Sequence, residues 1–150
     1  MFKKIVGTIW RKMPRFLRLK VIRLTQTKFT VSVAAVVTNA DGKVLLLEHV
    51  LRPASGWGIP GGFVNYGEQP AEAIERELEE ETGLRLENIK LFRVRILKSH
   101  VEFIFQANAE GAGKVFSREI LTVEWFTPDK MPEEMSSVQK ATVQAVLGKS

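Results

Sequence analysis

The stretch "GFVNYGEQPAEAIERELEEETGL", residues 62–84, decides how the rest of the chain is read. After Gly62, the segment "FVNYGEQ" comes before the helical stretch. Pro70 then suits the first position of a helix, where a missing N–H costs nothing. Ala71, Ile74 and Leu78 follow at helical spacing, and Gly83 is a stop signal. A helix from about Pro70 to Thr82 is therefore expected.

The charge on that helix is unusual. Eight glutamates (68, 72, 75, 77, 79, 80, 81, 87) fall between Glu68 and Glu87, against only two arginines. Glu79, Glu80 and Glu81 sit in the last turn, at the negative pole of the helix dipole, where carboxylates are unfavourable. Neighbours three and four apart also repel. At about 100° per residue with Ile74 as zero, Leu78 lies at about 40° and Ala71 at about 60°, defining the apolar stripe. Glu81 then falls at about 340°, Glu77 at about 300° and Glu80 at about 240°, in one arc beside that stripe. Carboxylates crowded in a partly buried arc should favour protonation of one another unless a cation neutralises them. Hard oxygen donors without His or Cys suit Mg²⁺ or Mn²⁺. The competing explanation is a glutamate-rich solvated face.

The glycines just upstream invite another reading. Gly56, Gly58 and Gly61 satisfy G-x-G-x-x-G, the spacing of a dinucleotide-binding turn. That turn needs a strand directly before it and a helix directly after it. Here Pro60 sits inside the motif, and "FVNYGEQ" separates Gly62 from the helix. The dinucleotide reading is set aside.

Working outward, 150 residues with 45% hydrophobic and 26% charged content describe one globular domain. The chain contains no cysteine, which removes disulfides, thiolate ligands and cysteine nucleophiles. Absence of cysteine fits a reducing compartment, and a cytoplasmic location is expected. No apolar run is long enough to span a bilayer. The net charge of +5 is unevenly spread: residues 1–28 hold nine Lys/Arg and no acid, whereas the remainder stands at −4. This basic segment reads as two short amphipathic helices, with Phe2, Ile5, Val6, Ile9 and Met13 at helical spacing and Pro14 starting the second. Interspersed basic residues argue against a signal peptide.

From Thr30 the pattern turns to strands. "TVSVAAVV" and "KVLLLEHV" flank the turn signal at residues 39–42 and predict a hairpin. "IKLFRVRIL" and "VEFIFQA" predict a second hairpin around Lys98, Ser99 and His100. "ILTVEWF" predicts a further strand, and residues 136–147 a closing helix presenting Val138, Ala141, Ala145 and Val146. Strands mixed with a few helices indicate an α/β/α layered domain.

The spacing from Gly62 through Glu68 to "RELEEETGL" resembles the Nudix box, G-x5-E-x7-R-E-U-x-E-E-x-G-U with U apolar, without a mismatch. The preceding "WGIPGG" and the later "EWF" strand are also similar to that family, over about residues 29–147. The resemblance implies a Nudix-type α/β/α sandwich with a mixed sheet over residues 29–150, preceded by the basic helical segment at 1–28. It implies hydrolysis of a nucleoside diphosphate linked to a second moiety X, such as a nucleotide sugar, ADP-ribose or a (d)NTP. By the same resemblance, a backbone carbonyl of Gly61 and the carboxylates of Glu77, Glu80 and Glu81 hold Mg²⁺ (or Mn²⁺). Arg76 orients those carboxylates, and Gly62 allows close approach. Glu68 supports the helix start and Gly83 ends it.

Hydrolysis needs a carboxylate to accept a proton from water. Glu80 inside the box is one candidate, and the resemblance, in which some members place the base near the late tryptophan, suggests Glu119 or Glu124. Trp57 and Arg52 are candidates for contact with base and phosphate, with Phe29, Arg93 and Arg95 behind them. His49 and His100 read as surface or strand residues. Sequence features that mark several substrate subfamilies are absent. The basic segment has three readings: packing on the body or in a homodimer, attachment to an anionic membrane surface, or contact with RNA phosphates. The alternative to an enzyme is a Nudix-fold module that holds a nucleotide without turnover. An isopentenyl diphosphate isomerase, which shares the fold, would need a catalytic cysteine that this chain lacks.

Overall fold

The computed structural model describes residues 2–51 and 56–148. Two helices come first, α1 (Phe2–Lys12) and α2 (Arg15–Thr25), on either side of Pro14. The strands β1 (Thr30–Thr38), β2 (Val44–His49), β3 (Trp57–Gly58) and β4 (Gly61–Phe63) lead into α3 (Pro70–Thr82). Then follow β5 (Glu87–Leu97), β6 (His100–Asn108), β7 (Ile120–Phe126) and α4 (Ser137–Leu147).

The seven strands form one mixed sheet. β1 runs parallel to β6 along its whole length, from Thr30↔His100 to Thr38↔Asn108, and β5 joins the outer edge of β6. The other edge of β1 is shared: β4 pairs with residues 32–34, and β2 meets β1 at Thr38↔Val44. β7 lies antiparallel to β2. The expected β1–β2 hairpin therefore keeps its turn but opens directly after it. β1 has a long parallel partner in β6 and an antiparallel one in β4, which leaves β2 to pair with β3 and β7.

A strand covered on both faces reads as a continuous apolar run, as "VAAVV" does at residues 33–37. Val33, Ala35 and Val37 point into a core with Ile74 and Leu78 of α3. Ala34 and Val36 point into a second core with Val143 and Val146 of α4. The result is the expected α3/sheet/α4 sandwich. The buried stripe of α4 is Val143 and Val146, whereas Val138 and Ala141 are exposed. With two apolar rows available on this short helix, packing rather than periodicity selected its face.

The helices α1 and α2 form where predicted. None of the described side chains between residues 3 and 26 is buried, and neither helix contributes to either core. Among the described residues no helix is long and apolar enough to cross a membrane.

Candidate active site

The site begins where β4 is pinned against β1, with Val33 opposite Gly62 and Ala34 opposite Gly61. A Cβ on Gly61 would collide with the Val33 carbonyl and lie 2.9 Å from the Ala34 Cα. A Cβ on Gly62 would overlap the carboxylate of Glu77. Both glycines are thus required by close approach: one brings β4 to β1, the other brings the α3 carboxylate onto the β4 backbone.

α3 is held at both ends. Glu72 accepts the Gln69 backbone N–H at 3.0 Å, the acidic half of a capping box. At the other end Gly83 adopts the left-handed conformation, φ 69°, and its N–H bonds the Glu79 carbonyl. The last turn has further partners: backbone N–H groups of Lys114 and Phe116 donate to the carbonyls of Thr82 and Glu81, at 2.9 and 3.1 Å. The loop at 114–116 thereby satisfies carbonyls that would otherwise add to the negative pole.

Arg76 is the centre of the cluster. Its Nε and Nη2 donate to the two oxygens of Glu68 at 2.7 and 3.1 Å, a two-pronged pair. Nη1 donates to Glu77 at 2.8 Å and to Glu80 at 3.3 Å, and Nη2 also reaches the Phe63 carbonyl at 3.1 Å. One guanidinium therefore joins the loop, β4 and three glutamates. Hydrogen bonding to Arg76, and then to the Asn65 N–H, holds the Glu68 carboxyl below its ordinary value. Glu68 in turn makes Arg76 harder to deprotonate, outweighing partial burial, with Glu77 adding to the effect. The helix start expected of Glu68 is capped instead by Gln69 and Glu72, and Glu68 ties Arg76 to the loop.

The three carboxylates assigned to metal differ in environment. Glu81 is buried at 7% exposure, Glu77 is half-buried and Glu80 is exposed. In this arrangement Arg76 neutralises Glu77 and Glu80, and among the described residues no three His, Asp or Glu side chains are gathered around one metal-sized point. The donor chemistry nonetheless fits a hard divalent cation: oxygen atoms only, adjacent on one helix, with Glu77 laid against a glycine backbone.

β4 is also the wall of a cleft of about 170 Å³. Gly61, Gly62 and Phe63 line it, with Ser32, Arg95 and Glu102 among the other lining groups. Arg95 donates to Glu102 across the β5–β6 ladder, where the two residues are directly paired. Ser32 Oγ and Thr30 Oγ1 lie 2.8 and 2.6 Å from the two ring nitrogens of His100, and Phe63 meets that ring edge-on at 6.2 Å. Gln139 of α4 accepts the Ile59 N–H at 3.0 Å, which fixes the helix against the glycine loop.

The remaining expectations lie elsewhere. Trp57 packs edge-to-face on Phe126, centroids 5.1 Å apart, at the margin of the α4-side core. Arg52 lies outside the described residues. Glu124 is exposed on β7 opposite Leu46, and Glu119 is exposed just before that strand; neither joins the Arg76 cluster. Phe29 and Arg93 are exposed. Sequence reading passed over Ser32, Phe63, Glu102 and Gln139. Glu102 was within reach of it: counting back from the turn at 98–99 places Glu102 opposite Arg95, an oppositely charged cross-strand pair.

Comparison with known proteins bears on this geometry. The NUDIX domain pattern matches residues 28–146. A MutT-like protein of Streptomyces ambofaciens is 36% identical over 112 residues, covering 73% of this chain and 71% of the relative. The human 8-oxo-dGDP phosphatase NUDT18 is 33% identical over 106 residues, 67% of this chain but only 33% of that relative's length. Among solved structures, a MutT NUDIX hydrolase from Burkholderia pseudomallei is 28% identical, with a TM-score of 0.69 over 79% of this chain and 98% of the other. The NUDIX domain of Shewanella oneidensis NrtR shares the fold at 21% identity, with a TM-score of 0.74 over 91% of this chain and 99% of the other. The cluster around Arg76 is thus the Nudix box in folded form, and the chain belongs to the NUDIX domain family as a MutT-like Nudix hydrolase.

Proposed function

We propose that this chain hydrolyses a phosphoanhydride bond in a nucleoside diphosphate carrying a second moiety X, with Mg²⁺ or Mn²⁺. The observation that carries this reading is the position of β4, which has the Glu77 carboxylate against Gly62 and the cleft along Gly61–Phe63. Phosphate chemistry and nucleoside binding then share one strand. Glu77, Glu80 and Glu81, with the Gly61 carbonyl, would hold the cation. When bound, the cation supplies neutralisation of the phosphate oxygens and makes water more acidic.

The chain's own residues do the rest. Arg76 acts as a positioning residue, keeping Glu77 and Glu80 in one place while Glu68 anchors it to the loop. Glu80 accepts the proton from the attacking water; of Glu80, Glu119 and Glu124 it alone shares the Arg76 guanidinium, and its exposure leaves it open to solvent. The nucleoside lies in the cleft, where Phe63 offers an exposed aromatic side chain among the lining residues. The 8-oxo-dGDP phosphatase relative supports a nucleoside diphosphate over a nucleotide sugar.

A Mg²⁺-dependent screen over dNTPs, oxidised guanine nucleotides, ADP-ribose, nucleotide sugars, dinucleoside polyphosphates and 5′-triphosphate RNA tests this reading. Turnover of one class, abolished in Glu80→Gln, is expected. Silence across the panel from folded protein that still binds a nucleotide would favour the non-catalytic module.

A further inference from the structure

We propose that α1 and α2 dock on an anionic lipid bilayer, with α1 lying in the headgroup plane. The two faces of α1 carry the inference. At about 100° per residue, Ile5, Ile9, Val6 and Trp10 fall within roughly 140° of its circumference. Lys3, Lys4, Arg11 and Lys12 occupy the rest. Ile5, Val6 and Ile9 remain about half exposed, at 53%, 49% and 58%, so the protein leaves this stripe largely in water. On α2, Phe16 and Leu24 are exposed at 68% and 77% among Arg15, Arg18, Lys20 and Arg23.

Charge selects the occupant. Residues 1–28 hold nine cations and no acid, and among the described residues none of those cations meets a carboxylate in an ion pair. A second copy of the segment would set nine cations beside nine. An RNA strand would neutralise the cations but leave the aliphatic stripe in water. An anionic bilayer satisfies both faces: the stripe enters the acyl boundary while lysine and arginine stay among the headgroups. The segment precedes the family-matched residues 28–146, so docking would hold the hydrolase body at the surface without using its site.

The test is co-sedimentation of the full chain with phosphatidylcholine vesicles, with and without phosphatidylserine. Binding is expected only to the phosphatidylserine vesicles, and weakening with salt. Ile5→Glu/Ile9→Glu should lower the partition coefficient about tenfold or more, since both positions enter the bilayer. Ile5→Ser/Ile9→Ser should give an intermediate loss, and unchanged circular dichroism would show that each variant is folded. Three results would overturn the proposal: no binding to phosphatidylserine vesicles, a glutamate variant that binds them as well as the parent, or single-stranded RNA that displaces the protein from vesicles and binds the glutamate variant with unchanged affinity.

Discussion

Residues 62–84 and residues 2–25 are each built around helix and highly charged, yet they dispose of their charge in opposite ways. In the first, three glutamates converge on Arg76, a fourth is buried, and a neighbouring loop caps the negative end of α3. In the second, every cation but the half-buried Arg18 is exposed, beside a half-exposed aliphatic stripe. Charge placed against the helix dipole persists only where other groups compensate it, and such compensation marks chemistry inside the domain. Cations without internal partners add nothing to the fold and mark a surface turned toward something else.

The contrast can be broken most severely at Gly62. Gly62→Val puts a side chain where the Glu77 carboxylate lies, and should lower kcat/KM about 100-fold or more through misplacement of that carboxylate. Steady-state kinetics on the substrate found in the screen will read this, with circular dichroism confirming the fold. Arg76→Lys comes next. A lysine lacks the fork that grips both oxygens of Glu68, so urea unfolding should show a loss of about 1–3 kcal/mol.

A smaller effect concerns acid. The Glu68 carboxyl is held below its ordinary value of 4.5, so its contribution to stability is fully present above that value. It is lost as pH falls through the lower folded value, because the unfolded chain takes up the proton first. Melting temperature followed from neutral into the acid range should fall less steeply in Glu68→Gln than in the parent. The smallest change is expected in the basic helices: Ile5→Glu/Ile9→Glu should alter stability by less than about 0.5 kcal/mol, since neither residue belongs to a core. A large loss there would mean that the helices brace the body after all.

The legible parts of this molecule were those written in adjacent residues. Pro70 and Gly83 delimit α3 because one removes a donor the first turn does not need and the other takes a left-handed cap. The arc of Glu77, Glu80 and Glu81 follows from helical phase, although phase could not separate buried Glu81 from exposed Glu80. What depends on distant pairing was less legible. The long partner of β1 is β6, which the chain reaches only after α3 and β5. Nothing in "TVSVAAVVTNADGKVLLLEHV" announces that β2 will turn from β1 toward β7. The cleft arises from that same pairing. Ser32 meets Glu102 and His100 only once β1 and β6 are in register. For Trp57, a candidate base contact because it neighbours glycines, the sequence does not announce the packing of its ring on Phe126 at the end of β7.

The central claim is that the carboxylates gathered by Arg76 bind the divalent cation used in hydrolysis. Titration of Mn²⁺ followed by electron paramagnetic resonance, on the parent and on Glu77→Gln, tests it most directly. The account predicts stoichiometric binding by the parent and an affinity lower by about tenfold or more in the variant. Equal affinity in the two proteins, or no binding by the parent, would contradict it.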